Sequence, residues 1–303
     1  MLTFHTCDVF TDRPFAGNPL AIVLGADGLT TAQMQTLARE FNLSETIFVQ
    51  APRDPSHTAR VRIFFPTAEI PFAGHPTIGC AIHLACAGAS GDFDRDLVLE
   101  EEAGLVPVRV SRRGGAVRAE FVAPVLPHGV TDAPDRDAAL DAGRLAAALG
   151  LDGDEIGSGA HCPGLWQGGP RFLYAPVASL KALGRARPIE PHWSAQMQAA
   201  GVDSIYLYTP GEGCDFRARM FSPTAGIPED PATGSASAIL AAQLLAAGAL
   251  GEGETRFTLR QGVEMGRPSE IGLTAVIASG KLVEVRIAGS AVQVGEGRIR
   301  VPG

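Results

Sequence analysis

The sequence predicts an α+β protein built from two pseudo-symmetric halves, and two observations carry that prediction. Residues 62–71, RIFFPTAEIP, return at 219–228 as RMFSPTAGIP, with seven of ten positions identical, no gap and an offset of 157 in a chain of 303 residues. A self-similar segment at mid-chain offset reads as a duplicated unit. A turn motif used twice without wider symmetry is the alternative. Around both copies, short β-branched and aromatic runs dominate, and the helical stretches do not alternate with them in a βαβ rhythm.

Strands are expected at Thr3–Phe10, Leu20–Leu24, Thr46–Gln50, Ala59–Phe65, Val106–Ser111, Val117–Val122, Ser204–Tyr208, Phe216–Phe221, Glu284–Ile287 and Ser290–Val294. Thr31–Phe41 reads as a helix capped by Thr30 or Thr31, Asp137–Leu149 as a helix stopped by Gly150, and His192–Ala200 as a third. Each copy of the repeat runs from a β-like segment through a Pro-rich turn into a helix of small residues, Thr77–Ala87 in one half and Gly234–Ala247 in the other. The Asp-, Pro- and Gly-rich stretch 124–137 reads as a linker, which sets an N-terminal half at 1–123 and a C-terminal half at 124–303.

Composition narrows the function. With 46% apolar and 19% charged residues the chain has ample material for a core, which excludes a disordered protein. A net charge of −8 argues against a nucleic-acid binder. The five cysteines form no CxxC pair, so no disulfide framework is expected and a reducing cytoplasm is the expected compartment. Residues 1–8 carry neither a basic nor an apolar signal region. The uncharged stretch 232–251 is mostly Ala, Gly, Ser and Thr, which suits a tightly packed internal helix better than a membrane span. The Gly-rich segments 157–160 and 164–169 lack the strand–helix context of a dinucleotide site, and the seven histidines show no metal-ligand spacing. No cofactor and no metal are expected.

Three segments combine polar side chains with backbone geometry suited to a site. Phe15 to Pro19 forms a turn between strands that ends on Asn18. Leu43 to Thr46 carries Ser44 and Glu45 where a helix gives way to a strand. The third is the repeated turn, Phe72 to Thr77 with Gly74 and His75, and Glu229 to Ser235 with Asp230, Gly234 and Ser235. Each copy of that turn puts a glycine at the start of an uncharged helix, where backbone N–H groups lack partners and the helix dipole favours an anion. The amides of Gly74, His75, Gly234 and Ser235 are therefore expected to clamp a carboxylate in a cleft between the halves, with simple helix capping as the bland alternative. Glu45 precedes the apolar run Thr46–Val49, and burial there would suit it to shuttle a proton near neutrality. His75, Asp230 and Ser235 are candidates for supporting acid/base and hydrogen-bonding roles.

At these residues the sequence resembles the phenazine biosynthesis PhzF-like family, whose fold is that of diaminopimelate epimerase. The resemblance covers nearly the whole chain. It is strongest at Asp8 to Thr11, Gly17 to Pro19, Ser44 to Thr46, Pro71 to Thr77 and Glu229 to Ala236. It implies two halves, each a curled, mostly antiparallel sheet around a central helix, with the last strand, 288–301, returning to the N-terminal half. It also implies a cofactor-independent isomerase of a small carboxylate, often a homodimer, with Glu45 as the principal acid/base. His75, Asp230 and Ser235 then support it, and Asn18, Ser44, Gly74, His75, Gly234 and Ser235 bind substrate. Racemases of the same fold carry a thiol in each glycine-rich turn, where this chain has Ala73 and Pro231, so two-thiol racemisation is not expected.

The expected function is thus an isomerase that moves a proton between carbons of a small unsaturated or keto carboxylic acid. A non-catalytic carboxylate-metabolite-binding protein is the rival from another class, although binding alone does not require Glu45, His75, Asp230 and Ser235 together.

Overall fold

The computed structural model describes residues 1–303, which fall into two compact units. The first comprises Met1–Pro124, Gly266–Glu270 and Arg286–Gly303, and the second Val125–Met265 and Ile271–Val285.

The first unit begins β1 (Leu2–Val9), β2 (Asn18–Leu24), α1 (Thr31–Phe41), β3 (Glu45–Gln50), β4 (Ala59–Phe64) and β5 (Glu69–Ile70). It continues α2 (Gly74–Cys86), β6 (Phe93–Glu101), β7 (Gly104–Arg113) and β8 (Ala116–Val122). β1–β2, β3–β4, β4–β5, β6–β7 and β7–β8 pair antiparallel, whereas β2–β3 and β4–β6 pair parallel. The sheet curls around α2, which touches β1, β2, β3, β6, β7 and β8.

The second unit contains β9 (His128–Gly129), α3 (Arg136–Leu140), α4 (Ala142–Leu149), β10 (Gly164–Gln167), β11 (Arg171–Pro176), α5 (Leu180–Arg185) and α6 (His192–Ala200). It continues β12 (Ile205–Pro210), β13 (Phe216–Ser222), β14 (Ile227–Asp230), α7 (Gly234–Ala246) and β15 (Gly253–Gln261). β9–β10–β11 and β12–β13–β14 run antiparallel, with parallel pairs β11–β12 and β13–β15. α7 packs on β9, β10 and β11. The strands β16 (Ser269–Ala278) and β17 (Lys281–Gly289) each have residues in both units, and β18 (Ala291–Ile299) pairs antiparallel with β1. No helix is long and apolar enough to cross a membrane.

The repeated sequence builds the same local structure twice. Arg62 pairs with Glu69 in the first unit and stacks over Phe64, with its guanidinium carbon 5.3 Å from the ring centre. Arg219 pairs with Glu229 through two hydrogen bonds of 2.7 and 2.8 Å and stacks over Phe221 at 4.7 Å. Such a bidentate pair is rigid, and it fixes the hairpin that leads into each central helix.

Both central helices are buried around most of their circumference, which explains their small, uncharged residues. Gly79 marks a close approach of α2 to the sheet. A Cβ there would lie 2.6 Å from Leu20 Cδ2 and 2.8 Å from Val9 Cγ2.

Two expectations need correction. The segment Asp137–Leu149 is not one helix but α3 and α4, because Asp141 leaves the helical region (φ −67°, ψ 121°) and its carboxylate caps Arg144 N at 2.8 Å. Gly164–Gln167, dismissed as a glycine-rich loop, is the strand β10. The strands β6 and β15 had no clear alternating signature, since charged residues crowd their exposed ends (Asp94, Arg95 and Asp96; Glu254 and Arg256).

Substituting Gly79 by Ala is expected to lower the unfolding free energy by about 1–3 kcal/mol, the usual range for overpacking. That loss outweighs a helix-propensity gain of about 1 kcal/mol. Urea titration reads the difference, and an unchanged midpoint would mean that Leu20 and Val9 give way.

Candidate active site

In the first unit the N-terminal ends of β2, β3 and α2 meet. β2 and β3 are parallel with Leu20 opposite Glu45, so both strands start on the same side. α2 lies against both and starts there too. Asn18 opens β2, Glu45 opens β3, and His75 is the second residue of α2. His75 Nδ1 lies 3.3 Å from Asn18 Nδ2 and 3.3 Å from Glu45 Oε2. All three side chains are buried, with Glu45 at 8% exposure. Ser44 is half-buried in the short connection after α1, where Asn42 closes the helix in the left-handed region (φ 51°).

The ring of His75 is neutral at physiological pH. Burial drives its pKa down to about 3, against a weaker opposing pull from the Pro19 backbone. Its contact with Glu45 is therefore not an ion pair. A neutral imidazole places no positive charge of its own beside the carboxyl.

The turn that delivers Asn18 is held from a distance in sequence. Gly17 sits at φ +65°, and a Cβ there would meet Thr11 Cγ2 at 2.6 Å. Buried Asp8 accepts a hydrogen bond from Phe15 N (2.6 Å) and pairs with Arg267 Nη2 (2.5 Å). Arg267 also donates to the carbonyls of Gly17 and Ala16, both at 2.8 Å. Sequence reasoning missed this pair, because its members stand 259 residues apart and neither belongs to a local pattern that names the other.

In the second unit the corresponding turn gathers Asp230, Thr233, Gly234 and Ser235. Buried Asp230 closes β14, and its Oδ2 accepts from the Thr233 hydroxyl at 2.6 Å. Gly234 opens α7, and Ser235 follows it half-buried. The helices α1, α3, α4 and α5 receive side-chain caps from Thr30, Asp135, Asp141 and Ser179. α2 and α7 receive none: Ala73 has no polar side chain, and the Thr233 hydroxyl is turned to Asp230. Uncapped first turns of this kind suit an anion, whereas in α6 the first-turn Ser194 N–H donates to the Glu190 carboxylate at 3.3 Å.

The structure thus brings together Asn18, Glu45, Gly74 and His75 in one unit and Asp230, Gly234 and Ser235 in the other. No cysteine belongs to either turn. Cys80 in the body of α2 and Cys7 on β1 beside it are buried, and burial pushes the Cys7 thiol up to about 12 and the Cys80 thiol well above its ordinary value.

A family model described as phenazine biosynthesis-like protein, PhzC-PhzF, matches residues 7–297. An uncharacterized isomerase of Mesorhizobium japonicum is 44% identical over 299 residues, covering 96% of each chain. The trans-2,3-dihydro-3-hydroxyanthranilate isomerase of Pseudomonas chlororaphis is 37% identical over 293 residues, 96% of this chain and 97% of its own. A solved structure of a PhzF-family phenazine biosynthesis protein from Bacillus anthracis matches with a TM-score of 0.84 at 27% identity, covering 99% of both chains. The α+β architecture is therefore the diaminopimelate epimerase-like fold that the sequence resemblance implied.

The neutral state of His75 has a signed consequence. The unfolded ring takes a proton near pH 6.5 and the folded ring only near pH 3, so protonation favours the unfolded chain. The stability that depends on this ring is intact above about pH 6.5 and is lost as the pH falls toward 3. Urea midpoints between pH 7 and 4 are expected to fall more steeply for the wild type than for His75→Gln. A His75 ring titrating near pH 6.5 by NMR would contradict this.

Proposed function

The chain belongs to the phenazine biosynthesis-like protein family and is an isomerase, and from that premise we propose that it moves a proton between carbons of a small unsaturated or keto carboxylic acid without a cofactor. The observation that supports this best is the buried Glu45 carboxyl beside a neutral imidazole at an uncapped helix terminus.

In this reading Glu45 takes a C–H proton and returns it to another carbon on the same face. Asn18 and His75 orient the carboxyl, and a positioned acid/base of this kind contributes roughly 10²–10⁴-fold in rate. The amides of Gly74 and His75 supply donors for the substrate carboxylate, and those of Gly234 and Ser235 form the equivalent donor pair of the second unit. Asp230, Ser235 and Ser44, the residue before Glu45, add polar support. The first substrate to try is trans-2,3-dihydro-3-hydroxyanthranilate, the compound named for the Pseudomonas relatives. A homodimer, the state the resemblance implies, and a cytoplasmic location, the compartment the cysteine usage suggests, belong to the same reading, and sedimentation velocity at micromolar concentration is expected to return a mass of two chains.

The decisive experiment is deuterium wash-in followed by NMR in D₂O. The panel starts with trans-2,3-dihydro-3-hydroxyanthranilate and extends to acyclic keto acids. The wild type is expected to incorporate deuterium at carbon, Glu45→Gln to lose at least about 100-fold in that rate, and Asp230→Asn and His75→Ala to be slowed. Equal exchange in wild type and Glu45→Gln would remove Glu45 from the role. No exchange with any compound, together with thermal stabilisation by one carboxylate, would favour a binding protein.

A further inference from the structure

The internal repeat continues past the turn and into the strand that follows each central helix. In the first unit β4 and β6 pair in parallel, with Ala59 opposite Leu99 and Arg60 opposite Glu100. In the second, β13 and β15 pair in parallel, with Phe216 opposite Leu259 and Arg217 opposite Arg260. Counterparts therefore stand 157 residues apart in the first strand of each pair and 160 apart in the second. The 160-residue offset also relates Glu69 to Glu229, the partners of Arg62 and Arg219, and Gly74 to Gly234, the first residues of the two helices. It makes Glu101, the last residue of β6, the counterpart of Gln261, the last residue of β15.

Both side chains are buried, and both reach the entry to their helix. Gln261 Oε1 accepts from Thr233 N at 3.1 Å, and its Nε2 donates to the Asp230 carbonyl at 2.8 Å and the Thr233 hydroxyl at 2.9 Å. Glu101 Oε1 lies 2.7 Å from the Thr77 hydroxyl, which is also 2.8 Å from the carbonyl of Ala73, the residue just before α2.

A hydroxyl has one proton to donate, and a carbonyl can only accept. Both contacts of Thr77 are satisfied when Glu101 carries a proton and donates it to Thr77 Oγ1, while Thr77 donates to Ala73. An acid proton on Glu101 thus makes it, like the Gln261 amide, a neutral group that donates to a threonine hydroxyl. Its surroundings agree. Oε2 is buried with no hydrogen-bond partner, which suits a neutral group and not a carboxylate. The titratable groups facing it are Cys80 of α2 and, beyond that, Cys7 of β1, neither of them a cation. The flanking Glu100 and Glu102 turn instead to His57 and to Arg60 and Arg53. Burial raises the Glu101 pKa to about 8, with the Thr77 hydroxyl pulling weakly the other way.

We propose that Glu101 and Gln261 are matched positioning residues, each fixing the entry of a central helix and with it the amides and side chains that the reaction uses. The catalytic half of this proposal rests on the isomerase reading above; the structural half does not.

Two variants and two readouts test it. With a substrate that shows wash-in, the wild-type rate is expected to fall as the pH rises through about 8, where Glu101 ionises. Glu101→Gln, which installs the side chain already present in the second unit, is expected to hold the rate within about threefold at pH 7 and to lose that alkaline fall. Glu101→Leu is expected to cost at least about tenfold.

The second readout needs no substrate. The folded chain keeps the proton up to about pH 8, whereas the unfolded chain releases it near 4.5, so wild-type stability falls as the pH rises across that window. The thermal midpoint of the wild type is therefore expected to decline relative to Glu101→Gln between pH 5 and 8 and to run parallel to it above. Parallel midpoints throughout would overturn the protonated state. A Gln variant as impaired as the Leu variant would overturn the positioning role. Loss of the isomerase reading would show separately, as no wash-in by the wild type.

Discussion

Enclosing a helix within a curled sheet is the constraint on which the rest of each unit depends. A helix surrounded on its flanks has room only for small side chains, and α2 and α7 are accordingly rich in Gly, Ala, Ser and Cys. Their polar groups can meet anything other than the wall of the sheet only at the ends. Polar side chains accordingly gather at the N-terminal rim, Asn18, Glu45 and His75 in one unit and Asp230 and Ser235 in the other. The same enclosure decides protonation. Polar side chains set into a dry wall are cheapest when neutral, and His75 and Gln261 both meet that condition.

Much of this was legible from the residues alone. The ten-residue repeat revealed the duplication, and the runs of small residues after it revealed the central helices, because no other setting tolerates so many of them without charge. Glu45 was found because it abuts an apolar strand, and it is buried as that position implied. α1 was readable because Thr30 and Gln33 form a reciprocal cap, a purely local device.

What stayed hidden is non-local. Whether two strands run parallel or antiparallel, and in what register, is set by packing between segments far apart in the chain. The Asp8–Arg267 pair and the Glu101–Thr77 contact leave no trace in any window of a few residues. Glu101 and Gln261 were obscured for a further reason: three extra residues in the second turn shift their offset from 157 to 160, so the ungapped identity does not align them. The break at Asp141 shows the opposite failure. Helix propensity on both sides was sound, but a capping carboxylate in mid-segment started a second helix.

The two buried thiols, one in α2 and one against it, carry a practical meaning. A thiol reacts with an alkylating reagent only as the thiolate and only when the reagent can reach it. Cys7 and Cys80 meet neither condition in the folded first unit, whereas Cys162 lies at the surface of the second. The chain therefore contains its own clock: prompt labelling marks Cys162, and the slow modification of Cys7 and Cys80 times how often the sheet around α2 comes apart.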